Sequence, residues 1–361
     1  MASVREIAEH VNLSPATVSR VLNSRPGISD DTRRRVLAAA SQMGLVRHTG
    51  LKTTRYVGFV HPLGHFVGNM GDYHASLIGG VVACLGQDQY DLALIDPYRD
   101  KRTDETYAQF FMRKDLRGVI VQVRAENAHV IDRIADEGFP MVTVASEAES
   151  PKVNWVVCDS GREVTRAVHY LARLGHRRVA LAIRPESDFD HLARREGYRQ
   201  AHRELGWELD PALEYDVLAE TEAGASLVRQ LVSETHRPTA ILFADPAPTV
   251  GALVTCQQMG LDVPGQLSII GFDDSRTRYQ CSPPYTAICQ DAQRLGHEAA
   301  ASLVKLIEGD ANGPIQLRLP AVFEVHGTTG PAPAPASGTS PAPGNGPTPG
   351  SGAGRATGSL A

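Results

Sequence analysis

A chain of 361 residues with 36 basic and 41 acidic side chains has room for two or three domains and a formal charge of −5. With 42% apolar and 21% charged residues it has the composition of a globular protein with a sizeable core, and no apolar run approaches the ~20 residues of a membrane helix. Cys84, Cys158, Cys256, Cys281 and Cys289 contain no C-x-x-C pair. A structural zinc site or a secreted disulfide framework is therefore not expected, and a reducing cytoplasm is. The charged, amphipathic start MASVREIAEH does not read as a secretory signal.

The mean charge hides an asymmetry. Residues 1–55 carry nine Arg or Lys and four acids, which leaves −10 for the rest. A small basic head on an acidic body suggests that the head meets a polyanion.

Three helices are predicted in residues 1–46. Ser3-Val4-Arg5-Glu6 is a capping box, and Val4, Ile7, Ala8 and Val11 give the first helix one apolar face. A tight turn follows at Asn12 and Leu13. Ser14 then caps a second helix that begins with Pro15, where a missing N–H costs nothing. Val18, Val21 and Leu22 point inward on it, and Pro15, Ala16, Ser19 and Arg20 share the opposite face. Ser29, Asp30 and Asp31 start a third helix, with Val36, Leu37, Ala40 and Met43 inward and Gly44 at its end. This is helix-turn-helix geometry, whose second helix can enter a major groove. A helical module that docks on protein has the same pattern.

From Tyr56 the chain alternates short apolar runs with amphipathic segments. Strands are expected at 56–61, 90–95, 118–123, 141–145, 154–159, 178–183, 240–244 and 267–272, with helices at 73–87 and 161–174. Runs of Val, Ile and Leu without polar alternation suit parallel strands covered on both faces, with ligands at their carboxyl ends. His61 and His65 have Pro62 and Gly64 between them, so helical metal spacing fails and no metal is expected. Phosphate-loop, dinucleotide and G-x-S-x-G patterns are absent, so neither a cofactor nor enzymatic chemistry is expected. His176 reads as a capping or packing residue. Residues 330–361 hold seven Pro and eight Gly with one charge, Arg355, and read as disordered.

The words IAEHVNLSPATVSRVLN and GISDDTRRRVLAAASQMG resemble the DNA-binding headpiece of the LacI/GalR family of bacterial regulators. The resemblance implies that Pro15 and Ala16 select the operator sequence. It also implies that Thr17, Ser19, Arg20 and Asn23 contact backbone or bases, and that Ser3, Ser29 and Thr32 contact phosphate. Ser14 joins this DNA-binding set. Pro15 and Ala16 offer only apolar contact, such as to a thymine methyl, so Arg20 is the candidate for guanine O6 and N7; a phosphate grip is its alternative.

The body resembles the same family through CDSGREVTRAVHYLARLGHRRVA, ARREGYRQAHRELG, SIIGFDDS and SPPYTAICQD followed by LGHEAAASLVKLIEG, so the likeness spans residues 3–327. It implies an all-α headpiece (1–46) and an α/β domain (56–327) of the type I periplasmic-binding-protein kind. Its two parallel-sheet subdomains would be about 56–158 with 291–315 and about 159–288 with 316–327, ahead of a disordered tail at 328–361. Tyr73, His74, Asp159, Arg194, Asp245 and Asp273 would line the cleft, and Asp274 would be a structural cap. The family often has Asn-Asp after the strand that ends at 244, where this chain has Ala244 before Asp245. Carboxylates, a guanidinium and an aromatic ring suit a neutral polyol.

The implied function is a cytoplasmic, homodimeric repressor that binds an inverted-repeat operator under control of a carbohydrate-like effector, with no membrane partner. A solute-binding protein without DNA function is the alternative. The linker at 47–55 is about five residues shorter than the family's hinge and lacks its Pro-Asn start, which leaves Leu51 as the residue that would wedge into the minor groove. A weakly bent operator is expected to follow from that.

Overall fold

The computed structural model describes residues 4–22, 28–29, 32, 35–36, 39, 55–60, 71–123, 128–148, 150–185, 188–274 and 276–334. The expectations for Ser3, Asn23, Leu51, the linker up to residue 54, His61 and His65, and the tail beyond 334 lie outside the described residues.

In the head, α1 (Val4–His10) and α2 (Pro15–Leu22) meet across a turn in which Asn12 takes φ 54°. The Ser14 hydroxyl accepts from Thr17 N at 3.0 Å, which is the cap expected before Pro15. Ile7, Ala8, Val11, Val18, Val21, Val36 and Ala39 bury together as one small core. Ser29 repeats the capping device, accepting from Thr32 N at 3.3 Å.

The body runs β1 (Arg55–Val60), α3 (Asp72–Leu85), β2 (Tyr90–Ile95), α4 (Pro97–Asp100), α5 (Tyr107–Arg113), β3 (Leu116–Gln122), α6 (Ala128–Asp136), β4 (Met141–Val144) and β5 (Asn154–Asp159). It continues with α7 (Ser160–Arg173), β6 (Val179–Ile183), α8 (Phe189–Leu205), β7 (Glu214–Asp216), α9 (Thr221–Val232), β8 (Ala240–Phe243), α10 (Pro246–Met259) and β9 (Ser268–Asp273). β10 (Thr286–Cys289), α11 (Ala292–Glu308), β11 (Gln316–Pro320) and β12 (Val322–Glu324) complete it.

The strands form two sheets of six, ordered β11-β5-β4-β3-β1-β2 and β12-β10-β9-β8-β6-β7. The two orders are the same once each lobe is counted from its own first strand. Every pairing is parallel except that of β10 with β12. β4, β6, β8 and β9 are buried at every position, as strands covered on both faces must be.

Two expectations are corrected. Residues 316–320 belong to the first sheet, where β11 pairs with β5 from Gln316–Trp155 to Pro320–Asp159, so the third crossing falls between Pro320 and Val322 and not at 315. The polar-apolar text QLRLP shows no partner preference; the open edge of β5 supplies it.

The tail also begins later than its composition suggests. Thr328 donates to Ile269 O at 2.7 Å, Gly330 N donates to Ser268 Oγ at 3.1 Å, and Ala332 N donates to Leu174 O at 2.8 Å. His176, fully buried, lies 2.8 Å from Thr239 Oγ1 and 3.0 Å from Gly330 O. Residues 328–332 are therefore stitched to the second lobe by backbone groups, which composition does not reveal.

Helix packing is close where glycine allows it. A Cβ on Gly197 of α8 would stand 2.1 Å from Gly161 O of α7, and one on Gly296 of α11 would stand 2.0 Å from Leu77 O of α3. The first contact sets the N-terminal half of α8 beside the end of β5.

Candidate functional site

Two regions gather the expected site residues. In the head, Pro15, Ala16 and Arg20 are exposed on α2, opposite buried Val18 and Val21, while Thr17 and Ser19 are partly covered. The structure thus presents the expected face to solvent over a small core. Ser14 and Ser29 spend their hydroxyls on caps, accepting from Thr17 N and Thr32 N.

The second region lies where strand ends of both lobes meet. Asp188 caps α8 by accepting from His191 N at 3.0 Å, and the first turns of α8 carry Asp190, His191 and Arg194. The His191 ring sits between two carboxylates, with Nδ1 2.6 Å from Asp188 and Nε2 3.0 Å from Asp245 at the end of β8. Burial works against the imidazolium, but Asp245 and Asp188 outweigh it and push His191 up to about 9. The same contacts lower Asp188 and Asp245 against their own burial. The trio is thus one cation held by two anions.

Arg194 is buried to 4% exposure. It donates to Ala244 O at 2.5 Å and to Ser160 Oγ at 3.5 Å, and its guanidinium stacks 3.9 Å over the Phe272 ring. One of its nitrogens stands 4.0 Å from Asp190, one helical turn away. Burial raises Asp190 to about 7 and Asp274 to about 6, with Arg194 pulling each back down. Gln290, on the crossing after β10, donates to Asp274 at 2.9 Å.

From the first lobe, Tyr73 at the start of α3 feels the charges of Asp190, Asp274, Arg194 and Asp188, and burial followed by those carboxylates raises its hydroxyl well above its ordinary range. His74 packs edge-on against Tyr73 with centroids 5.5 Å apart. Cys158 at the end of β5 is pushed up to about 12 by burial and by Asp190. Tyr73 Oη, Asp190 Oδ1 and Gln290 Oε1 are buried with no hydrogen-bond partner among the described residues. Buried polar atoms are seldom left so, and three in one place describe a polar recess.

Of the six expected cleft residues, Tyr73, Arg194 and Asp245 come together here, with His74 against Tyr73. Asp159 closes β5 and precedes α7 without capping it, only partly buried. Asp273, next to Asp274 in the chain, has its carboxylate committed to other partners. Its carboxylate takes Arg278 Nη1 at 2.6 Å and the N–H groups of Thr277 and Arg278 at 3.0 and 3.2 Å. Arg278 reaches on to Glu324 at 2.8 Å. Asp273 is thus the structural staple and Asp274 faces the recess, the reverse of the roles expected for the two. The strand ends at Asp273, whose carboxylate Arg278 and two backbone N–H groups claim, so the next residue is the acid left for the recess.

Sequence reasoning also missed Asp188, Asp190, His191 and Gln290. A signal existed for three of them: Asp188, His191 and Arg194 recur at i, i+3 and i+6, and Asp190 is four before Arg194, so one helix end carries them all. Nothing marked Gln290. Among the described residues, no group of three His, Cys, Asp or Glu could hold a metal ion, and no helix is long and apolar enough to cross a membrane.

Known proteins share the sequence pattern of the head and the fold of the body. Residues 3–47 match the bacterial regulatory proteins, lacI family, and residues 168–329 match the periplasmic binding protein-like domain. The HTH-type transcriptional repressor PurR of Klebsiella pneumoniae is 26% identical over 314 residues, covering 85% of this chain and 91% of PurR. Among solved structures, the lac repressor dimer bound to operator and the anti-inducer ONPF is 22% identical with a TM-score of 0.72, covering 91% of this chain and 99% of its own. A complex of the transcriptional regulator CelR with cellobiose is 23% identical with a TM-score of 0.66, covering 91% of this chain and all of the other.

Proposed function

This chain belongs to the lacI family of bacterial regulatory proteins, and from that premise we propose that it is an effector-controlled repressor. It acts on DNA in the cytoplasm as a homodimer on an inverted-repeat operator, and it is not an enzyme. The observation that carries the effector reading is the recess of Tyr73 Oη, Asp190 Oδ1 and Gln290 Oε1, buried between two lobes with no partner among the described residues. A polyhydroxylated ligand matches such atoms, and the cellobiose in the CelR complex supports a carbohydrate-like class. Ligand held by both lobes favours one lobe arrangement over another, and it changes operator affinity by its difference in affinity for the two.

In the head, Pro15 and Ala16 touch bases, Arg20 reads a guanine, and the starts of α2 and of the helix after Ser29 grip phosphate. Ser3, Thr17, Ser19, Asn23 and Thr32 belong to the same interface by family likeness, and Leu51 is assigned a weak wedge. In the cleft, Tyr73, His74, Arg194 and Asp245 keep the ligand role with Asp159 at the rim, and Asp274 takes the place given to Asp273.

A mobility-shift titration on genomic fragments, with and without a panel of sugars, tests the reading. Retention of one inverted-repeat fragment, released by one panel member, is the expected result. Ligand binding with no DNA retention at low salt would instead mean a solute-binding protein. Arg20→Ala should flatten preference at one base pair per half-site, worth about 1–3 kcal/mol; equal loss on operator and random DNA would mean a phosphate grip.

A further inference from the structure

With all of its carboxylates ionised, the recess would carry more negative than positive charge. Four carboxylates, Asp188, Asp190, Asp245 and Asp274, face two cations, His191 and Arg194. His191 is shared by Asp188 and Asp245. That leaves Arg194 for Asp190 and Asp274, yet it donates to Ala244 O and Ser160 Oγ and stays 4.0 Å from Asp190. Arg184, half-buried at the margin, acts on Asp245.

The open atoms have a sign as well. Asp190 Oδ1 and Gln290 Oε1 sit on residues 6% exposed and lack partners among the described residues. When ionised, the Asp190 carboxylate only accepts, as the Gln290 amide oxygen always does. Gln290 has already turned its NH₂ to Asp274, so its oxygen is the atom left for a ligand. Across from them Tyr73 Oη can donate or accept.

We propose that the cleft takes a polyol bearing a protonated amine, an amino sugar or aminocyclitol, whose ammonium sits among Asp190, Asp274 and the Gln290 carbonyl. This deepens the effector reading above and rests on it. A neutral sugar could satisfy the acceptors with hydroxyls but would leave Asp190 and Asp274 either protonated or buried as charges without a cation of their own. An ammonium brings three donors on one atom and a charge. It also displaces protons. Asp190 at about 7 and Asp274 at about 6 are raised by burial first, and a cation beside them lowers both. The groups that face them are Arg194, Asp188 and His191 on α8, Asp245 and Asp273 at strand ends, Gln290 on the crossing, and Tyr73 and Cys158 from the first lobe.

Calorimetric titration of the full chain with glucosamine, galactosamine and mannosamine, each beside its neutral parent and its N-acetyl form, tests the assignment. At least one amine should bind roughly tenfold tighter than both counterparts. At pH 7 it should release protons, read from runs in buffers of different ionisation enthalpy. Asp190→Asn should lower amine affinity about tenfold and change that of the neutral parent by less than about threefold. Asp274→Asn should act in the same direction, and melting curves report that each variant folds.

A neutral parent that binds as tightly as its amine and releases operator would sink the amine proposal while leaving the effector reading intact. If no amine in the panel binds, the proposal falls as well. If operator affinity is then also unchanged by small-molecule fractions of a cell extract, the effector reading falls with it.

Discussion

The two lobes of the body share a strand order and contribute unequally to the recess. The first lobe brings Tyr73, His74, Cys158 and a partly exposed Asp159. The second brings Asp188, Asp190, His191, Arg194, Asp245 and Asp274. One lobe therefore holds the electrostatics, and the other closes over it with a hydroxyl and rings. Parallel sheets of the same order put strand ends in equivalent places, so the difference comes from side chains and not from topology. A ligand should meet the second lobe first, and the first lobe should set how far closure proceeds.

The comparison is broken most severely at Arg194. Arg194→Ala should cost about 3–5 kcal/mol by denaturant unfolding, because it leaves Asp190 and Asp274 buried without their cation. It should also abolish the effector response. A loss below about 1 kcal/mol would mean that the second lobe does not depend on this charge.

The next largest effect separates two adjacent acids. Asp273→Ala should destabilise by about 2–3 kcal/mol, since it strips Arg278 and two backbone N–H groups of their acceptor. Where the variant is folded, effector affinity should stay near normal. Asp274→Ala should do the opposite, weakening effector binding about tenfold or more with little loss of stability. Swapped outcomes would return the ligand role to Asp273.

A pH series sharpens the electrostatic half. Asp190 is raised to about 7 from an ordinary value near 4, so the folded chain binds that proton more tightly than the unfolded one. Its contribution to stability is complete at low pH and is lost as pH rises toward 7. Asn cannot ionise. Asp190→Asn should match the parent chain near pH 4 and exceed it by more than about 1 kcal/mol at pH 8. His191, raised to about 9, adds a second decline between its unfolded value near 6.5 and pH 9 that the variant retains. A difference that is flat with pH would mean that Asp190 is not strained by burial.

The smallest stability effect belongs to the first lobe. Tyr73→Phe deletes a hydroxyl with no hydrogen-bond partner among the described residues, so unfolding free energy should move by no more than about 0.5 kcal/mol. Effector affinity should nevertheless fall several-fold. If both stay unchanged, the first lobe does not touch the ligand.

The head and the architecture of the body were legible in the text of the chain. Ser14-Pro15, the inward Val18 and Val21, and the outward Pro15, Ala16 and Arg20 follow from local periodicity and capping, which act within one or two turns. The strand at 154–159 matches its predicted span, because a parallel strand buried on both faces reads as an unbroken apolar run, and the edge strand at 90–95 matches its span although it is half exposed. Likeness to a family pointed to Tyr73, Arg194 and Asp245. The rest depended on contacts between distant segments. The partner of β11 was decided by the open edge of β5, and the docking of residues 328–332 by free backbone groups at Leu174 and Ile269. Which of Asp273 and Asp274 faces the recess was decided by Arg278 claiming the first of them. Gln290 joined the site only because the crossing after β10 carries it under Asp274. Local sequence specifies propensity and face, but a hydrogen bond or ion pair between residues far apart in the chain exists only once the fold has closed the distance.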